Sequence, residues 1–134
     1  MLLTSLVKLL ETSHRELLEA VADQTESEFH RSLGGEYGES SLVEVLTIIA
    51  WEERGISIDS FDRPLPPQAI HDLVGARWQT LKVLPSLDNE LANELVGKIV
   101  EREKKLVKHL LKNEEKINKF QELNTQTRQG YDND

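Results

Sequence analysis

One amphipathic segment, residues 41–54, constrains the fold more than any other part of the sequence. Ser41 followed three residues later by Glu44 is a capping box, a pair of side chains that satisfies free backbone N–H groups at a helix start. The apolar residues that follow recur at spacings of three and four, which is the repeat of one helix face. Glu53 falls on that apolar face. The segment therefore predicts a helix that packs against other helices and turns a carboxylate toward them.

Three further segments show helical periodicity. They are predicted at about 3–23, 67–84 and 89–123. Proline is tolerated in the first turn of a helix, and Ser86 or Asp88 is placed to cap the last segment. The connection 24–40 is long and loses the periodicity. Four amphipathic helices joined in this way predict an all-α domain, specifically a four-helix bundle with a long connection between its first two helices. The predicted bundle covers 1–123, and a polar, disordered tail is predicted at 124–134.

The composition of the chain limits which kinds of molecule it is expected to bind and which kinds of chemistry it can carry out. The chain has 134 residues and a net charge of −8, so neither nucleic acid nor a membrane surface is an expected partner. The lack of cysteine excludes disulfides and thiolate chemistry. No apolar run reaches the roughly 18 residues that span a bilayer. The amino-terminal stretch is interpreted as a core helix rather than a signal peptide, which predicts a cytoplasmic location.

Several polar side chains fall on the predicted apolar faces. A buried carboxylate has to be paired, protonated or bound to a metal, because an isolated buried charge is costly. For Glu53 the favoured interpretation is an ion pair with Arg77 or Arg102. His14 is interpreted first as a helix-edge histidine. The alternative is a catalytic or metal site in which His14, Glu53 and Glu103 converge.

Three residues are candidates for contact with a ligand. Tyr37 lies among the glycines of the long connection and is expected to be exposed. Asn113 interrupts the apolar face of the last helix. Trp51 can stack on a ligand, but Trp51 and Trp78 both lie on or near apolar faces, so core packing is expected of each.

Three stretches of the chain resemble the DinB/YfiT-like superfamily of small four-helix bundles. They are the glycine loop 35–37 leading into the capped helix 41–53, the third helix with its exit at 73–88, and the final helix at 106–120. The superfamily includes thiol-dependent transferases and the N-terminal domain of mycothiol-dependent maleylpyruvate isomerase. The resemblance spans nearly the whole chain and implies a DinB-like bundle that forms a homodimer.

The resemblance also implies where a metal would bind. Members of the superfamily use three histidines, one on the second helix and two spaced by four on the last. The matching positions in this sequence are Ile48, Asn113 and Ile117, none of which is a good ligand for zinc or nickel. His109 lies one turn before Asn113, so a shifted alignment would recover one histidine of the three. No metal or cofactor is therefore expected, and a divalent metal such as Ni or Zn is the alternative.

The predicted function is non-catalytic binding of a small molecule or a protein partner by a homodimeric bundle. The alternative is a DinB-like enzyme, a metal- or thiol-dependent transferase or isomerase, that uses a relocated polar site around His14 and Glu53. The two hypotheses differ in one structural requirement. An enzyme needs His14 and Glu53 to meet each other, or one water or ion, in a concave site.

Overall fold

A computed structural model describes residues 2–55 and 65–132, with side chains in 2–55 and 65–113. Within these ranges the chain is helical and forms no strand. Two short 3-10 turns occupy Gly35–Tyr37 and Leu84–Ser86. The α-helices are α1 Leu3–Ala22, α2 Glu26–His30, α3 Leu42–Glu53, α4 Pro66–Val83 and α5 Asn89–Asp132. The prediction of an all-α domain is confirmed.

Two side chains that the sequence predicts as helix caps, Ser41 and Asp88, form capping hydrogen bonds in the structure. Ser41 Oγ accepts the backbone N–H of Glu44 at 3.3 Å, and the Glu44 carboxylate accepts the backbone N–H of Ser41 at 3.2 Å. The predicted capping box is therefore confirmed. Asp88 Oδ1 accepts the backbone N–H of Leu91 at 2.8 Å, so Asp88 rather than Ser86 caps α5. A capping side chain stabilises its helix by about 1 kcal/mol.

The long connection between α1 and α3 contains a short helix, α2, that the periodicity did not predict. Thr25 and Glu28 form a second capping box at its start, and Phe29 is buried beneath it. A helix of five residues is too short to display a helical repeat. The Thr-x-x-Glu spacing was the signal available in the sequence.

The core consists of two apolar clusters stacked along the helices. The α3 cluster combines buried residues of α3 with Leu17 of α1, Leu73 of α4 and Leu106 of α5, among others. The terminal cluster combines Leu6 and Leu10 of α1 with Leu84 and the first turns of α5. Because α1 and α5 both pass from the terminal cluster to the α3 cluster, they run in the same direction. The helix α4 passes from the α3 cluster toward Leu84 and therefore runs in the opposite direction.

The buried face of α4 is rotated from the predicted one. The periodicity of this segment predicts a buried face of Ile70, Val74, Arg77 or Trp78, Leu81 and Leu84. Arg77 and Leu84 are buried as expected, but the other buried residues of α4 include Ala69, Leu73, Ala76 and Thr80. Val74 is 44% exposed and Trp78 is 65% exposed, so the expectation that Trp78 packs in the core is wrong. Ala69, Ala76 and Thr80 contribute small side chains to the buried face, and a search for large apolar residues at helical spacing overlooks them.

Two expectations concern residues that the structure does not describe in full: the second helix is expected to end near Asp59, and a disordered tail is expected at 124–134. The gradual end of the second helix near Asp59 lies within 56–64, and α3 as described ends at Glu53. The division at 123 into a bundle and a disordered tail stays a prediction, since side chains beyond 113 are not described. In the part of the chain that is described, no helix combines the length and apolarity needed to cross a membrane.

Candidate functional site

A layer of buried polar side chains lies between the two apolar clusters, and Arg77 is at its centre. The Arg77 side chain is 2% exposed. Its Nη2 donates to Glu53 Oε1 at 3.0 Å and to Glu103 Oε1 at 2.7 Å, and its Nε donates to Glu53 Oε2 at 3.3 Å. Nη1 donates to the backbone carbonyl of Leu10 at 2.7 Å. Four of the five guanidinium N–H groups thus have partners, and one side chain joins α1, α3, α4 and α5.

Glu53 is held as a structural ion-pair partner. Both of its oxygens accept from Arg77, and Oε2 also accepts from the Thr80 hydroxyl at 2.8 Å. Arg102, the other predicted partner, pairs instead with Glu52 at 3.2 Å near the surface. The prediction that an arginine neutralises Glu53 is therefore confirmed for Arg77. A bidentate pair of this kind is stronger and more specific in orientation than a single contact.

Glu103 carries the unbalanced charge of the layer. Its Oε1 accepts from Arg77 and from Ser13 Oγ at 3.0 Å, whereas its Oε2 is buried without a partner among the described residues. Two carboxylates and one guanidinium give the layer a net charge of −1 when all three are ionised. Burial raises the pKa of Glu103, and this effect outweighs the lowering by Arg77 and Ser13. A proton on Oε2 would neutralise the layer and leave both hydrogen bonds to Oε1 intact.

Arg77 itself stays charged. Burial lowers the pKa of Arg77, but the hydrogen bonds and charges of Glu53 and Glu103 outweigh that effect and hold the pKa above its ordinary value. The guanidinium is therefore the fixed charge around which the two carboxylates are arranged. Removing it would leave two buried carboxylates without their main partner.

His14 lies half-buried at the edge of the layer. Burial and the charge of Arg77 lower the pKa of His14, against a smaller raising effect of Glu53, so the ring is neutral near pH 7. Its Nδ1 is buried and has no hydrogen-bond partner in the described part of the chain. Glu53 is engaged by Arg77 and Thr80 rather than by His14. The two residues thus lie near one centre, but without the direct contact that an acid–base pair requires.

The structure offers no cluster for a metal within the described ranges, where no group of three His, Cys, Asp or Glu side chains can hold an ion. Ile48 is on α3 and Asn113 is on α5. The side chain of Ile117 lies outside the described residues. His109, the histidine that a shifted alignment would recover, has a different role.

His109 fastens the glycine loop to α5. Its Nε2 donates to the Leu33 carbonyl at 2.8 Å, and its ring meets the Tyr37 ring edge-on at 5.1 Å. Gly35 has a φ of +56°, and a Cβ at that position would lie 3.0 Å from His109 Cε1. Glycine is therefore required there both by the left-handed backbone and by the contact with the ring. Tyr37 is half-buried against the α3 cluster, so the expectation that it is exposed is wrong.

The cavity that Asn113 lines in the described part of the chain is not lined by Tyr37 or Trp51, the other two candidate ligand residues. This cavity has a volume of about 260 Å³ and is also lined by Ser32 and Leu33. Trp51 packs against the α3 cluster, and the Arg54 guanidinium lies 5.7 Å from its ring. Whether any of the three binds a ligand stays a prediction.

Two apolar grooves lie on opposite sides of α1. The α1/α4 groove has a volume of about 360 Å³, is floored by Leu18, Ala22 and Leu81, and reaches His14 and Arg77. The α1/α5 groove has a volume of about 470 Å³ and lies over Leu6, Leu9 and the facing turns of α5. The sequence did not predict either groove, because each depends on the spacing between helices rather than on a motif.

No protein-family model, curated protein or solved structure matches the chain. The resemblance to the DinB/YfiT-like superfamily therefore stays an expectation drawn from the sequence.

Proposed function

We propose that the protein is a non-catalytic, DinB-like four-helix bundle that works by binding a protein partner, and that this partner is a second copy of the chain. The buried layer supports the non-catalytic assignment, because the hydrogen-bonding capacity of Arg77 and Glu53 is used to hold four helices together. The groups that remain free to meet a partner are at the surface.

The observation that carries the proposal is the exposure of Trp78. We define the Trp78 surface as Val74 and Trp78 of α4 together with the α1/α4 groove beside them. Trp78 is 65% exposed and Val74 is 44% exposed, in a chain with few aromatic residues. Exposed apolar patches mark interaction sites, and tryptophan is the side chain most enriched at the energetic centres of interfaces.

The Trp78 surface brings an exposed ring and an apolar depression onto one helix. Trp78 lies three residues before Leu81, which lines the α1/α4 groove with Leu18 and Ala22, and residues three apart are neighbours on a helix surface. Two copies related by a two-fold axis can each place Trp78 in the groove of the other. Such an isologous contact closes on itself and gives a dimer rather than a filament.

The charged residues around the Trp78 surface also favour a second copy of the chain as the partner. Glu11 and Glu19 line the groove together with Arg15, and Lys82 Nζ lies 4.9 Å from the Trp78 ring. Both signs are present, so a two-fold arrangement can oppose acids to bases. A partner with a surface of one sign would meet like charge on part of the rim, which disfavours association.

We expect wild type to form a dimer in sedimentation equilibrium and Trp78→Glu to be monomeric. Loss of a central tryptophan weakens an interface by about 2–4 kcal/mol, which raises the dissociation constant about 30- to 1,000-fold. The matched control is Val83→Glu, because Val83 is an exposed apolar residue on another face of α4. A wild type that stays monomeric at every concentration, or a dimer that Val83→Glu weakens as much as Trp78→Glu, would contradict the proposal.

The second candidate is the DinB-like enzyme, and one observation favours it. His14 Nδ1 has no partner in the described structure, and His14 lines the α1/α4 groove. A neutral imidazole with a free nitrogen can accept a proton or bind a metal. Retention of nickel or zinc after dialysis by wild type, but not by His14→Ala, would support this candidate over a purely non-catalytic bundle.

A further inference from the structure

The α1/α5 groove combines an apolar floor with a cationic end. Leu6 and Leu9 of α1 face Val96 and Val100 of α5 along the floor. Lys104, Lys105 and Lys108 follow one to two turns further along α5. Since α5 rises about 1.5 Å per residue, the lysines begin about 6 Å beyond Val100. The groove therefore changes from apolar to positively charged along its length.

The cationic end is locally opposite in sign to the molecule, whose net charge is −8. Glu101 neutralises one lysine, because Lys105 Nζ lies 3.7 Å from its carboxylate. Lys104 and Lys108 form no ion pair with any side chain that the structure describes. Two ammonium groups without a partner among the described side chains, at one end of an apolar groove, complement a ligand with one anionic end and one apolar end.

Gly97 keeps the floor of the groove open. It lies within α5 and lines the groove between Val96 and Val100. A Cβ added at Gly97 would meet no heavy atom within 4 Å, so a larger side chain there would enter the groove without disturbing the helix. Glycine is a poor residue for the middle of a helix, and its place on this floor preserves volume that a side chain would fill.

We propose that the α1/α5 groove binds a hydrocarbon-chain carboxylate, with the chain along Leu6, Leu9 and Val96 and the carboxylate between Lys104 and Lys108. The volume of about 470 Å³ lies within the range of small-molecule sites. Each methylene group removed from water strengthens binding about fourfold, so the chain supplies affinity and the lysines supply orientation. Nucleic acid fits the groove poorly, because its phosphate backbone has no hydrocarbon part that could cover the apolar residues of the floor. The inference concerns the side of α1 away from the Trp78 surface and does not rest on self-association.

The test is isothermal titration of the full chain with dodecanoate below its micelle concentration, using dodecylamine and dodecanol as probes of the same chain length. We expect one saturable site for dodecanoate, and binding of each of the other two at least tenfold weaker. Added salt should weaken dodecanoate binding, because exposed charges are screened. Equal affinity for dodecylamine, or no saturable site for dodecanoate, would overturn the proposal.

Two variants locate the site. Gly97→Leu should raise the dissociation constant for dodecanoate at least tenfold, whereas Gly75→Leu should not. Gly75 is the matched control, since it also lies within a helix and a Cβ there would likewise meet nothing within 4 Å. The double variant Lys104→Gln/Lys108→Gln should weaken binding and remove its salt dependence, whereas Lys112→Gln should change neither. Unchanged affinity in Gly97→Leu, with circular dichroism showing an intact fold, would refute the assignment.

A membrane surface also presents anionic groups attached to hydrocarbon chains. Sedimentation with lipid vesicles distinguishes binding to such a surface from binding of a free carboxylate. We expect no binding to vesicles of zwitterionic or anionic phospholipid, because the net charge of −8 opposes approach to an anionic surface. If wild type bound anionic vesicles and Gly97→Leu did not, the ligand of the groove would be a lipid surface rather than a free carboxylate. That result would overturn the proposal. Self-association of Gly97→Leu should equal that of wild type, so this inference and the proposed dimer can fail separately.

Discussion

Replacing Arg77 with methionine should lower the free energy of unfolding by about 3–5 kcal/mol, the range seen when one partner of a buried ion pair is removed. The guanidinium is 2% exposed and supplies hydrogen bonds to Glu53, to Glu103 and to the Leu10 carbonyl. Methionine fills much of the volume but donates nothing. The cost arises mainly because two buried carboxylates would lose the charge that allows them to be ionised there.

Urea denaturation followed by circular dichroism measures this effect. The matched control is Arg102→Met, which removes an arginine from the half-exposed pair with Glu52 and should change stability by less than about 1 kcal/mol. If Arg77→Met lowered the free energy of unfolding as little as Arg102→Met does, the buried layer would not hold the fold as described.

Glutamine at position 103 should be far better tolerated than glutamine at position 53. The two carboxylates differ in how many of their oxygens accept hydrogen bonds. Glu103 Oε2 has no partner in the described structure, so the amide of Glu103→Gln can occupy that place while its oxygen keeps Arg77 and Ser13. Both Glu53 oxygens accept from Arg77, so the amide of Glu53→Gln would point N–H groups at a donor. We expect losses of less than about 1 kcal/mol for Glu103→Gln and about 2–3 kcal/mol for Glu53→Gln.

The difference between wild type and Glu103→Gln should depend on pH in a definite direction. The pKa of Glu103 is raised above its ordinary 4.5 in the folded chain, mainly by burial. Its contribution to stability is therefore complete below pH 4.5 and is lost as pH rises through the raised folded-state pKa. Relative to Glu103→Gln, wild type should become less stable from pH 4.5 toward neutrality. A relative gain in wild-type stability over that range would show that the folded chain lowers the pKa of Glu103.

The sequence predicted the four longer helices and the inward charges because both depend on local patterns. The capping box of Ser41 and Glu44 determines a helix start within four residues, and Glu53 interrupts an apolar face whatever the neighbouring helix is. Pairing of Glu53 with an arginine followed from the cost of a buried carboxylate, whereas the choice of Arg77 over Arg102 needed the structure. These features require only periodicity and the physical chemistry of one side chain.

The features that the sequence did not predict depend on how helices approach one another. Burial of Ala76 and exposure of Trp78 depend on which face α4 turns toward its neighbours, and the apolar pattern of α4 alone does not specify that face. The contact of His109 with the glycine loop joins residues far apart in the chain. Both grooves arise from gaps between helices, and for that reason no motif in the sequence marks them.

The most direct test measures self-association of a variant in which the charged side chains of the buried layer are replaced by apolar ones. It asks whether the buried charges hold the fold while the Trp78 surface carries the function. The variant Arg77→Met/Glu53→Leu/Glu103→Leu replaces the three charged side chains at the centre of the layer, an exchange that is often neutral or stabilising when the volumes match. Thr80 keeps the Ala76 carbonyl as an acceptor in this variant. Arg77 also lines the α1/α4 groove, so we expect sedimentation equilibrium to show that the variant still dimerises, with a dissociation constant within about tenfold of the wild-type value. A folded variant that is monomeric would show that the layer contributes to function and would contradict the assignment of the Trp78 surface as the functional element.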